Sequence, residues 1–259
     1  MTVPEYAVTF LGTSAAVPSS TRDTTSLCVT GPKETILIDC GGSPVGKLRR
    51  IGVDPLRLTA VVITHTHPDH AYGLPALIQS LMLLGRTWPL PIYCHDAHTE
   101  TLRTLLDLFR LLGRPIEITG IKAREGERLF GTEEFIVTAS PNAHGEMPNL
   151  AIRIDLAGLG RGLVYSSDTE PTDAVIRLAR GAHTLIHEAT FPDSHQVRAH
   201  GHSTARQAGE VARAAGVRRL ILTHMDWALH SGPEAVIREA QSTFGGETLI
   251  AEELCSYPL

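Results

Sequence analysis

The stretch ITHTHPDH (residues 63–70) sets His65, His67, Asp69 and His70 within six positions, directly behind a β-branched run. Imidazole and carboxylate without thiolate make a ligand set for Zn²⁺, and one that also admits Mn²⁺ or Fe²⁺. Side chains repeat every two residues along a strand, so His65 and His67 leave its end on the same side. Pro68 then turns the chain toward a helix, and Asp69 and His70 reach the site from a different direction. Two ligand pairs arriving from two directions suit two adjacent ions better than one tetrahedral ion. Further candidates stand just past β-rich runs: His144 after FIVTASPNA, Asp168 after GLVYSS and His224 after RRLILT. Polar groups at strand ends rest on rigid supports, where sites are commonly built.

The elements that must carry these residues follow from the apolar pattern. Short β-branched runs (YAVTFLG, TSLCVTG, ETILIDCGG, LTAVVITH) fill the first 65 residues, separated by Gly and Pro. A short helix is expected over 44–55, ending near Gly52, another over about 70–84, and a third over 99–113 with leucines and Phe109 at helical spacing. A second strand-rich block runs from PIEITGI through EEFIVTAS, LAIRIDL and GLVYSSD. The last third alternates: helix PTDAVIRLAR, strand TLIHEAT, helix STARQAGEVARAAG, strand RRLILTH, helix SGPEAVIREAQSTFG and strand ETLIAEE. Ser231 and Glu234 have capping-box spacing at the start of the last helix. Each half therefore begins strand-rich and ends with helices, which points to two packed sheets with helices outside, a four-layer αββα arrangement of α/β class.

Composition narrows the functional classes. The chain has 259 residues, 42% of them hydrophobic and 20% charged, ordinary for a globular protein with a sizeable core. A net charge of −5 gives no global field drawing it to nucleic acid. No signal peptide is expected, and the longest apolar segment (74–85) is too short to cross a bilayer. The 4 cysteines form no C-x-x-C pair and read as reduced thiols of a cytoplasmic protein. His95 and His98 flank Asp96 in YCHDAH, a spacing read as a polar helix start. Trp88 and the apolar face of 99–113 offer a dimer contact.

THTHPDHAYG resembles the H-x-H-x-D-H-x-x-G signature of the metallo-β-lactamase superfamily, and LIDCGG (37–42) its upstream Asp–Gly motif. His144, Asp168 and His224 fall in order as its later motifs, so the resemblance covers nearly the whole chain. It implies one αββα domain over residues 1–259 and a centre of two Zn²⁺ ions. By that resemblance His65, His67 and His144 hold one ion, and Asp69, His70 and His224 the other. Asp168 bridges them, and Asp39 orients the ligand loop by hydrogen bonds. Having His67 rather than glutamate sets the chain apart from flavodiiron-type oxygen reductases.

Two more stretches separate the hydrolytic branches. IHEATF (186–191) and GHSTARQAG (201–209) resemble the H-E-A-T and H-S-T motifs of the tRNase Z branch. That resemblance makes His202 a proton donor held by Glu188, with Asp69 also in the catalytic set and Ser203 and Arg22 beside the substrate. A metal-bridged hydroxide attacking phosphorus leaves an alkoxide that needs a proton, which a His–Glu pair supplies. Ser203 or Thr204 is also expected to cap the helix from 204. Two departures count against tRNA. The segment between His144 and Asp168 is too short for the tRNA-gripping arm. In VPSSTRDTTS the branch's lysine position is Ser20 and its asparagine position Asp23, which lowers the attraction for a polyanion.

Three functions remain in view. The first is an armless two-metal phosphodiesterase acting on a small or cyclic phosphodiester or on RNA, with tRNA 3′-processing as a variant. The second is a carbonyl hydrolase such as a lactonase or thioesterase, and the third a non-catalytic binding protein. The related enzymes make a homodimer the expected assembly.

Overall fold

The computed structural model describes residues 5–122, 124–198 and 200–259. Contacts divide the chain into two compact units, residues 1–122 with 252–258 and residues 123–251 with 259.

The first unit opens with β1 (Ala7–Gly12), β2 (Ser26–Thr30) and β3 (Thr35–Ile38), which pair antiparallel in that order. Helix α1 (Pro44–Arg50), begun by a proline, crosses to β4 (Leu58–Ile63), parallel to β3. Then come α2 (Pro68–Ala71) and α3 (Leu74–Leu83), β5 (Leu90–His95), α4 (Thr99–Leu108) and β6 (Ile116–Ile121), with β4, β5 and β6 all parallel. One helix was expected over about 70–84; the chain instead forms two, broken at Tyr72–Gly73. A Cβ on Gly73 would lie 2.4 Å from the Gly42 carbonyl and 2.6 Å from that of Cys40, so only glycine lets the turn after β3 pass this close. Leu48, Leu77, Leu81, Leu102 and Leu106 from the helices pack with Leu37, Val61, Ile63 and Ile92 from the strands.

The second unit repeats the plan. β7 (Glu127–Gly131), β8 (Phe135–Pro141), β9 (Leu150–Leu156) and β10 (Gly162–Tyr165) run antiparallel. Helix α5 (Asp173–Ala179), β11 (Thr184–Glu188), α6 (Ala205–Ala215), β12 (Arg219–Thr223), α7 (Pro233–Gln241) and β13 (Glu247–Ile250) then extend the sheet in parallel. Thr204 caps α6 in a full capping box with Gln207. The box expected at Ser231 and Glu234 does not form: α7 starts at Pro233, with Gly232 at φ 111° as its cap. The segment between His144 and Asp168 is the tight β9–β10 hairpin, turned over residues 157–161. Val164, Leu185, Leu220 and Leu222 meet Val175, Ala208, Val211, Ala212, Val236 and Phe244 in this unit's core. Finally β14 (Ser256–Pro258) returns to the first unit and pairs antiparallel with β1.

Each sheet is thus antiparallel at one side and parallel at the other. In parallel sheets the carboxyl ends of neighbouring strands share one edge, and ligands bind there. Asp39 and His65 follow β3 and β4; Asp168, Glu188 and His224 follow or end β10, β11 and β12. No helix among the described residues is long and apolar enough to cross a membrane.

Candidate metal and catalytic site

In the first unit Asp39 organises the ligand loop. Its backbone is left-handed (φ 56°) and its side chain fully buried. Oδ1 accepts the Thr64 N–H at 2.8 Å, the Thr64 hydroxyl lies 2.9–3.0 Å from both carboxylate oxygens, and Oδ2 accepts His70 Nδ1–H at 2.7 Å. Burial pushes the Asp39 carboxyl up, and the facing His70 and Thr64 pull against it. With its hydroxyl hydrogen on Asp39, Thr64 accepts His65 Nδ1–H at 3.2 Å. Both imidazoles therefore carry their proton on Nδ1 and leave Nε2 unprotonated. His70 Nε2 stands 3.5 Å from Asp69 Oδ2, and His65 Nε2 3.0 Å from His67 Nδ1. Pro68 at the first position of α2 fixes the turn that brings Asp69 and His70 round.

In the second unit Glu188 has the matching place. Oε1 accepts Thr169 N–H and His202 Nδ1–H, both at 2.9 Å, and Oε2 accepts Thr190 N–H at 3.0 Å and its hydroxyl at 2.7 Å. Burial would raise this carboxyl, but the charge and hydrogen bond of His202, aided by His224, hold it below its ordinary value. The Thr190 hydroxyl in turn accepts His224 Nδ1–H at 2.9 Å. His144 gives its Nδ1–H to the Gly201 carbonyl at 2.6 Å. The Nε2 lone pairs of His144 and His224 then stand 3.9 and 3.2 Å from one oxygen, Asp168 Oδ2. Metal bonds of about 2.0–2.2 Å to imidazole nitrogen and carboxylate oxygen set ligand atoms roughly 3–4 Å apart. The donor set fits metal ions. Glu188, His202 and His224 also lie close enough together to hold an ion, but Glu188 already accepts four hydrogen bonds and is a brace rather than a ligand. Ser167 (φ 52°) and His224 (φ 57°) are, like Asp39, left-handed without being glycine. Such strain persists where the surrounding hydrogen bonds over-determine it.

The other expected residues are placed as follows. Ser203 is buried with its hydroxyl on the Thr169 carbonyl at 2.6 Å, so it braces its loop from beneath. Arg22 reaches Thr13 Oγ1 through Nη1 at 2.8 Å. Asp23, read as repelling a polyanion, is countered by Lys47 at 2.9 Å. His95 caps the turn after β5 by accepting Ala97 N–H at 3.1 Å, which matches its reading as a polar helix start. Trp88 is half-exposed beneath the Arg86 guanidinium, 4.9 Å from the ring centre. Thr64 and Thr190 were not singled out from the sequence, since one hydroxyl residue beside a motif carries no pattern of its own.

These features define a class. The family model described as beta-lactamase superfamily domain matches residues 34–225, and the chain belongs to that family. The α/β fold class read from the sequence, the αββα type, stands with it. Among curated proteins the chain is 34% identical to the ribonuclease Z of Methanothermobacter thermautotrophicus, across 92% of each chain. That alignment spans 289 residues, more than this chain contains, so the relative carries segments missing here. Among solved structures it is similar to the metallo-beta-lactamase fold protein YhfI from Bacillus subtilis (TM-score 0.83, 26% identity, 98% and 99% of the chains). It is also similar to the short form of human tRNase Z (TM-score 0.80, 27% identity, 97% and 98%).

Proposed function

We propose that this protein is a metal-dependent phosphodiesterase of the ribonuclease Z type, hydrolysing RNA or a smaller phosphodiester. The observation that carries the reading is the His202–Glu188 pair, because cleaving a phosphodiester needs a proton for a poor leaving group. His65, His67 and His144 are assigned to one ion, Asp69, His70 and His224 to a second, and Asp168 to both. That assignment is supported by the family pattern and by the place of these residues just past strand ends in each unit. Two Zn²⁺ ions suit the imidazole-rich set, with Mn²⁺ or Fe²⁺ as substitutes. When bound, the ions supply Lewis acidity and neutralise charge on the phosphoryl oxygens. His202, its Nδ1 held by Glu188, is assigned as the acid that gives a proton to the departing alkoxide. Asp69, besides serving as a ligand, accepts the proton of the attacking water. Arg22 meets the substrate directly, while Ser203 acts through the loop it braces.

The short β9–β10 hairpin favours a small or cyclic phosphodiester, or RNA held without an arm, over a substrate gripped at a distance. We further assign the two units to one functional domain of 1–259 in a cytoplasmic homodimer. The free cysteines and the exposed Leu83, Leu108, Phe109 and Leu112 of the first unit support the last two assignments. Sedimentation analysis tests the dimer.

A panel of zinc- and manganese-supplemented assays tests the activity: a chromogenic phosphodiester, 2′,3′-cyclic nucleotides, precursor tRNA, a lactone and a thioester. Phosphodiester turnover is expected. Turnover of the lactone or thioester alone would overturn the reading. His202→Ala should slow phosphodiester cleavage and leave bound metal unchanged.

A further inference from the structure

Glu170, in the stretch YSSDTEP, has no assigned role, yet three loops of the second unit meet at it. Its backbone N–H donates to the Ala143 carbonyl at 2.8 Å, next to His144. Its carboxylate Oε1 accepts the Gly201 N–H at 2.7 Å. On the other side of that same residue, the Gly201 carbonyl accepts His144 Nδ1–H at 2.6 Å. One position further on, His202 meets Glu188. Gly201 is pressed against its target: it sits at φ 80°, and a Cβ there would lie 3.1 Å from Gly145 N and 3.2 Å from His144 Nδ1. Its neighbour His200 is exposed and reaches Glu170 only at 3.3 Å, so the clamp runs through the backbone.

We infer that Glu170 is a positioning residue: by anchoring Gly201 it fixes the tautomer and direction of His144, and with them the start of the loop that presents His202. The carboxylate accepts a backbone donor that would otherwise turn the peptide freely, and the glycine then has one orientation in which its carbonyl faces the imidazole. A hydrogen-bonded Nδ1 leaves Nε2 as the bare nitrogen, the state a metal ligand requires. The metal consequence rests on the two-metal reading above; the tautomer consequence does not.

The test uses Glu170→Ala, Glu170→Gln, Gly201→Ala and His200→Ala in the full chain. Glutamine keeps a carbonyl oxygen for Gly201 N–H, and Glu170 is partly exposed, so neither substitution at 170 opens a core cavity. Nitrogen-detected NMR of the metal-free proteins should show His144 as a single Nδ1–H tautomer in wild type, Glu170→Gln and His200→Ala. It should show mixed tautomers in Glu170→Ala and Gly201→Ala. Competition with a zinc chelator should give affinity about tenfold to a hundredfold weaker for Glu170→Ala and Gly201→Ala, the range for lost ligand support. Glu170→Gln should stay near wild type. A single His144 tautomer in Glu170→Ala overturns the inference, as does equal loss in Glu170→Ala and Glu170→Gln. If wild type takes up no zinc, the two-metal reading fails, and the tautomer spectra still decide the clamp.

Discussion

Asp39→Asn changes one atom and tests whether a single carboxylate sets two metal ligands. The substitution preserves size, and asparagine tolerates the left-handed backbone (φ 56°) that Asp39 adopts. All the donors around Asp39 face inward: Thr64 N–H at 2.8 Å, the Thr64 hydroxyl at 2.9–3.0 Å and His70 Nδ1–H at 2.7 Å. An amide offers one acceptor oxygen and turns an NH₂ toward the rest. If the oxygen serves Thr64, the NH₂ faces His70 Nδ1, and the imidazole relieves the clash by moving its proton to Nε2. That proton then occupies the metal-binding lone pair. If the oxygen serves His70, the Thr64 hydroxyl loses its acceptor and the support of His65 weakens. Either way one ligand is compromised. Loss of such support weakens metal binding about tenfold to a hundredfold, or about 1.4–2.7 kcal/mol. Chelator competition measures the affinity, elemental analysis the bound metal, and circular dichroism checks that the fold is kept. A folded Asp39→Asn variant with wild-type zinc affinity would refute the argument that Asp39 orients the ligands.

Glu188→Gln removes the charge facing His202, so phosphodiester turnover should fall about a hundredfold or more, the usual worth of a positioned acid. In the native enzyme Glu188 titrates below the ordinary carboxylate range. The stability it lends the pair is present above its unfolded pKa and is lost only as pH falls through that lower value. The alkaline limb of kcat/KM should move to lower pH in Glu188→Gln, because an imidazolium without a counter-charge releases its proton sooner. An unmoved limb would count against His202 as the acid. Thr190→Val deletes the hydroxyl between Glu188 and His224, and should weaken zinc binding while leaving a folded chain, as read by chelator competition and thermal melting. Burial pushes the Cys28 thiol up to about 12 and the Cys94 thiol up to about 11, and raises that of Cys40 as well. A chromogenic disulfide reagent should therefore titrate the exposed Cys255 alone in the native protein and all four thiols after denaturation. Rapid reaction of a second thiol would contradict the described packing.

The sequence announced the ligands because they break the apolar pattern at strand ends, where a histidine or aspartate stands out against Val, Ile and Leu. It was silent on Thr64 and Thr190, whose role depends on which carboxylate folds beside them. Strand β5 escaped the pattern for a local reason. Pro89 and Pro91 stand at its start, yet Pro91 lies before Ile92, the first residue paired to β4, so its missing N–H costs that ladder nothing. Edge strand β7 was passed over because none of its five residues is buried, so it carries no apolar alternation. The capping box at Ser231 had the right spacing and the wrong backbone, since Gly232 is itself the cap and starts the helix one residue later, at Pro233. Asp23 looked like an unbalanced anion because its counter-charge, Lys47, lies far along the chain.

The return of β14 to the first unit has a consequence for how the protein is made. Glu253 accepts hydrogen bonds from Thr13 and Asp23 and pairs with Lys47, contacts that span 206 to 240 positions of sequence. The second unit draws its sheet from one continuous run and can fold while synthesis proceeds. The first unit waits, with β1 at an open sheet edge, until residues 252–258 have left the ribosome. Long-range closure of this kind is slow, and an uncovered edge invites pairing with other chains. The loop that holds Arg22 is therefore the last part of the candidate site to be set in place, and a chain cut short before Glu253 would carry every proposed metal ligand and still lack that loop's anchor.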